Sequence, residues 1–197
     1  AVAAGDQLGM GNDPAAVADF IDQRAARLKA LGQGELADDL MRNVNAARAA
    51  QAAGQGSIGD LTAATQRSMQ AFPSPENVAT AKMMQHALEE KAKGLREDAL
   101  SYGAQLRPDA VGQLKPLDFS TIGTPRAADF VAGLQERKRQ ADIVSASEDG
   151  YPVAPLTAPE LATAKRVIET GNADQKSAFA AALNDGLGED GLAELTP

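Results

Sequence analysis

Residues 13–36 run DPAAVADFIDQRAARLKALGQGEL, and their order specifies a helix, a turn and the start of a second helix. Asp13 offers a capping carboxylate, and Pro14 follows at the first helical position, where a missing N–H costs nothing. Val17, Phe20, Ile21, Arg24, Leu28 and Leu31 then fall at helical spacing, five of the six being apolar, which fixes the period as helical rather than strand-like. Gly32-Gln33-Gly34 stops the pattern, and Leu36, Leu40, Met41, Val44 and Ala47 resume it as far as Gly54. Two helices joined by so short a glycine turn predict an antiparallel αα-hairpin.

The same punctuation recurs along the chain. In the loop GQGSIGD (residues 54–60), Ser57 and Asp60 have the spacing of a capping box, and a helix is expected over about 58–72 with Leu61, Met69 and Phe72, ending at Pro73. Ser74-Pro75-Glu76 opens a long helix expected from Pro75 to Tyr102, using Val78, Met84, Leu88, Leu95 and Leu100, with Gly94 as its weak point. Residues 103–123 contain three Gly and two Pro and no sustained period, which predicts a linker or extended docking segment. That segment divides an N-terminal helical subdomain, residues 1–102, from a C-terminal one, residues 124–197. The second begins at Thr124-Pro125 with a helix through Phe130, Val131, Leu134, Ala141 and Val144 to about Ser147. Tyr151-Pro152 and Ala154-Pro155 are forced into extended geometry. Thr157 with Glu160 is a capping box for a helix carrying Leu161, Ala164, Val167 and Ile168, which Gly171 ends. Asn172 with Gln175 repeats the arrangement before Phe179, Leu183 and Leu187, and Gly186, Gly188 and Gly191 break up the end. No segment alternates apolar and polar residues over strand length, so the expected fold is all-α: helical hairpins and a bundle.

Composition narrows the function. Alanine dominates the hydrophobic 44%, while aromatics are 4%, with no Trp, so apolar surface comes in small pieces suited to thin helix-on-helix layers and to packing against neighbouring subunits. A net charge of −8 gives no electrostatic reason to bind nucleic acid non-specifically, and no sequence-specific nucleic-acid binding is expected. The absence of Cys excludes disulfides and thiolate metal sites, and His86 is the single imidazole, which excludes multi-histidine metal sites. No apolar run approaches the roughly 20 residues that span a bilayer. The opening AVAAGDQLGMGNDP lacks the features of a secretory signal. It also lacks an initiator Met, as expected after Met removal or for a processed piece of a longer chain. The last helices are acidic rather than basic, so direct membrane contact by this segment is not expected.

Carboxylates are the only abundant reactive groups. Asp38-Asp39, Glu89-Glu90, Glu97-Asp98, Glu148-Asp149 and Glu189-Asp190 are adjacent pairs, and neighbours in a helix point about 100° apart, so they make poor dyads and are expected as solvated surface charge. Arg137, Lys138 and Arg139 are expected on a solvated helix face. Gly32-Gln33-Gly34 and Gly54-Gln55-Gly56 lack the downstream Gly-Lys-Ser/Thr of a phosphate loop and fit turns. His86, with no partner in its own stretch, is expected on the surface or at a subunit contact; Met83-Met84 beside it fits helix packing or a partner surface. No catalytic, cofactor-binding or metal-ligating residue is assigned, no cofactor is expected, and the expected chain is not an enzyme.

From about Leu95 onward a particular order of features appears: LREDALSYGAQ, then PLDFS with Thr124-Pro125, then DFVAGLQERKRQADIVSASEDGYPVAPLTAPE, then ADQKSAFAAALNDGLGEDGLAEL. Within it, Pro116-Leu117-Asp118, Arg137, Gly150-Tyr151-Pro152 and Pro155-Leu156-Thr157 with Glu160 are the most telling. This order resembles the helical region of large internal virion proteins of tailed phages, the core or ejection proteins, which often carry a lytic transglycosylase domain elsewhere. The resemblance covers about the second half of the chain. It implies a structural protein stored inside the capsid near the portal, in a ring-like homo-oligomer contacting other virion proteins such as portal or core proteins. It further implies translocation into the host envelope on infection, where the protein assists DNA delivery. The chain departs from the transglycosylase itself, having neither a Glu-Ser dipeptide nor Gly-Leu-Met-Gln; Met83-Met84-Gln85 is a superficial likeness. Alternatives are a tail tape-measure or scaffold segment, which would favour longer uninterrupted heptads, a muramidase-type hydrolase using a free carboxylate, and a helical adaptor.

Overall fold

Prolines and capping residues set where helices begin, and the computed structural model, which describes residues 14–193 and the side chains within 17–188, follows them closely. The fold is all-α. Its helices are α1 (Pro14–Ala30), α2 (Gly34–Gly54), α3 (Ile58–Gln70), α4 (Pro75–Leu106), a single turn α5 (Pro108–Val111), α6 (Ala127–Ser147), α7 (Ala158–Thr170) and α8 (Ala173–Ala193), with a 3-10 turn at Phe119–Thr121 before α6. The expected Asp13 cap lies outside the described residues, as do Ala1–Asn12.

Two compact units form. One takes the described residues up to Gln55 with Asp60–Glu89, and the other takes Gly56–Gly59 with the described residues from Glu90 on. In the first, α1 and α2 pack as the predicted hairpin. Gly32 adopts a left-handed φ of 75°, and the N–H groups of Gly32 and Gln33 donate back to Lys29 O and Leu28 O, the bonding of a Schellman stop. Lys29 and Asp38 pair across this turn at 3.2 Å. Buried apolar residues in this unit are largely alanines (Ala25, Ala37, Ala46 and Ala50, with Val44, Leu61 and Met84). Small side chains let helices approach closely but remove little apolar area from water, so this unit gains little from its own core.

In the second unit, α6 is the spine. Phe130 and Leu134, in its first half, join Leu156, Ala164, Phe179, Ala182, Leu183 and Leu187 in one cluster, where Phe130 and Phe119 meet edge-on with centroids 5.1 Å apart. Ala141 and Val144, in its second half, join Leu100, Val111 and Val153 in another. Helices α6 and α8 pack so closely that Gly186 has room only for hydrogen: a Cβ there would lie 2.7 Å from Leu134 Cβ. Gly186→Ala is therefore expected to cost about 1–3 kcal/mol by overpacking. Gly34→Ala, with nothing within 4 Å of the added methyl, should gain about 0.4–1 kcal/mol by stiffening the unfolded chain. Urea midpoints of the two variants should move in opposite directions.

Three expectations need correction. The long helix breaks at Asp98 (φ −160°, ψ 83°), not at Gly94, and continues to Leu106. Gly94 serves another purpose, leaving space against which the Tyr102 ring lies. Residues 103–123 are not a linker between subdomains: they lie within the second unit, α5 and the 3-10 turn occupy part of them, and Leu117, Phe119 and Ile122 pack on its core. Their Gly and Pro content breaks the helical period without removing the apolar side chains that anchor them. Finally, α3 stops at Gln70 rather than near Phe72, and Phe72 is left in the turn before Pro73.

Candidate functional site

The buried polar chemistry of this chain lies in the second unit, along α6. Residues 112–118, which follow α5, lie in no helix, and side chains take up backbone groups between Val111 and Leu117. Gln140 Nε2 donates to Val111 O at 3.1 Å and to Gln113 O at 3.4 Å. One helical turn earlier, Arg137 Nη2 donates to Lys115 O at 2.9 Å. Two residues on, the Leu117 N–H donates to Glu160 Oε1 at 3.3 Å. Two side chains one helical turn apart on α6 thus meet the last carbonyl of α5 and two carbonyls in the segment beyond it. Gln140 and Arg137 are 2% and 3% exposed, as expected if their bonding stands in for a sheet ladder.

Glu160 joins this zipper to α7. Its Oε1 accepts from Arg137 Nη2 at 2.6 Å, and its Oε2 accepts from the Thr157 N–H at 3.0 Å and the Thr157 hydroxyl at 2.9 Å, completing the predicted capping box. Arg137 Nε and Nη1 are buried without a hydrogen-bond partner among the described residues. The α7 N-terminus has a further anchor in Asp98. One of its oxygens accepts from the Ala158 N–H at 2.9 Å, while the carboxylate also caps the resumed half of α4 through the Ser101 N–H at 3.0 Å and hydroxyl at 2.8 Å. A single carboxylate thus holds two helix starts, where backbone N–H groups and the helix dipole favour negative charge.

A second ionic centre lies at the other end of α6. Glu148 is 1% exposed, and its Oε1 accepts from Lys91 Nζ at 2.9 Å and Arg107 Nη2 at 3.1 Å. Its Oε2 accepts from the Ile58 N–H at 2.8 Å, and Asp149 accepts from the Gly59 N–H at 3.1 Å, so two amides of the first turn of α3 are met by carboxylates ninety residues away. Lys91 Nζ donates to Gly56 O at 2.7 Å as well. Asp149 takes a left-handed φ of 58° followed by Gly150 at 78°, the turn that aims both carboxylates at residues 56–59.

These geometries revise the sequence reading of charge. Asp38, Asp39, Glu89, Glu90, Glu97 and Asp149 are exposed as expected, Glu148 is buried and Asp98 is half-buried; the side chains of Glu189 and Asp190 lie outside those described. The basic triplet is not a uniform solvated face either. Arg137 is buried, Lys138 Nζ donates to Leu187 O at 3.0 Å just before the break at Gly188, and only Arg139 is on the surface, paired with Glu136 at 2.6 Å. The Asn172–Gln175 box forms in both directions, at 3.0 and 2.9 Å. His86 is exposed.

Burial, then the charges of Glu148 and Glu90, holds the Tyr102 phenol above its ordinary value. Because the folded value exceeds the unfolded one, near pH about 10, this phenol stabilises the fold fully below that pH and loses its contribution as pH rises through the folded value. An ultraviolet titration should show one tyrosine ionising later in the folded chain than in the urea-unfolded chain.

Among the described residues no group of three or more His, Cys, Asp or Glu side chains is placed to hold a metal ion, and no helix is long and apolar enough to cross a membrane. No protein-family model, curated protein or solved structure matches the chain.

Proposed function

We propose that this chain is a structural internal virion protein of a tailed phage, a core or ejection protein that assembles near the portal with copies of itself and other virion proteins and assists DNA delivery across the host envelope. The observation that carries the reading is the use made of the residues that bear the resemblance. Arg137 and Pro155-Leu156-Thr157, which are buried, and Glu160, which is largely so, are parts of one joint, in which a helix, an extended bridge and a capped helix are fastened by hydrogen bonds. Glu148, Glu160 and Asp98, carboxylates withdrawn from the surface, are engaged by cations or backbone N–H groups, an arrangement that fixes geometry and leaves none of the three placed as a general acid. The exposed apolar side chains of the first unit fit a protein completed by neighbours.

Mass spectrometry of purified particles tests this. The chain should be found in DNA-filled virions and lost from them after triggered ejection. A chain present in immature shells and absent from mature virions would be a scaffold, and one absent from particles altogether would end the proposal. Loss of turbidity of a peptidoglycan suspension treated with the 197-residue chain would replace it with the hydrolase reading.

A further inference from the structure

We draw no further inference here: the strongest candidate, the exposed apolar surface patch at the α1–α2 and α3–α4 turns of the first unit, around Leu31 and Phe72, carries nothing because nothing in the structure shows what covers it.

Discussion

Glu148→Ala is expected to lower the stability of the chain by about 3–5 kcal/mol, the range found when one partner of a buried ion pair is removed. The loss is large because the carboxylate serves three groups at once and is the counter-charge of two buried or half-buried cations. Lys91, whose side chain is 2% exposed, loses its 2.9 Å partner; Arg107 loses its 3.1 Å partner; and the Ile58 N–H loses its 2.8 Å acceptor at the start of α3. Glu148→Gln keeps an oxygen for Ile58 but no charge for the cations, so it should fall between the variant with alanine and the parent. Lys91→Met should cost less than Glu148→Ala, because Arg107 still faces the carboxylate. Urea denaturation monitored by circular dichroism measures all three. A Glu148→Ala chain within about 1 kcal/mol of the parent would mean that this centre is weakly coupled to folding.

The second large effect is an asymmetry within one ion pair. Glu160→Ala should cost about 3–5 kcal/mol, since it strands a guanidinium that is 3% exposed and empties the capping box of α7. Arg137→Met should cost less, about 1–2 kcal/mol. Two of the three guanidinium nitrogens make no hydrogen bond among the described residues, so little bonding goes with them. Glu160 would keep three donors, the Leu117 N–H and the N–H and hydroxyl of Thr157, at a helix N-terminus that favours its charge. If Arg137→Met proved the more damaging change, the carboxylate would not be the centre of this joint.

Helix starts were legible because their causes are local. Thr157 with Glu160, Asn172 with Gln175 and Ser74 with Pro75 carry the caps in adjacent residues, and each lies where a helix begins. What stayed hidden depends on partners far away in sequence. Phe130, Leu134, Arg137, Ala141, Val144 and Glu148 lie at successive helical spacings of three and four, so Arg137 occupies the apolar stripe of α6 and Glu148 continues it at the C-cap. Lys91 sits likewise between Leu88 and Leu95 on α4. A charge within such a stripe signals burial with a partner, and counting only apolar positions passes over it. Which partner it finds is set by tertiary packing: Arg107 and Glu148 are forty-one residues apart. Asp98 was hidden in another way, because an acidic residue inside a helical run gives no sign that the backbone turns there.

The zipper on segment 111–117 has a practical consequence. Gln140 and Arg137 grip carbonyl oxygens, which any residue supplies, while the side chains of Gln113 and Lys115 are exposed. With no native cysteine in the chain, a single thiol placed at 113 or 115 offers an attachment point for a spin or fluorescent label. Such a reporter would ride on this segment and register its detachment from α6 while leaving every bond that holds it in place.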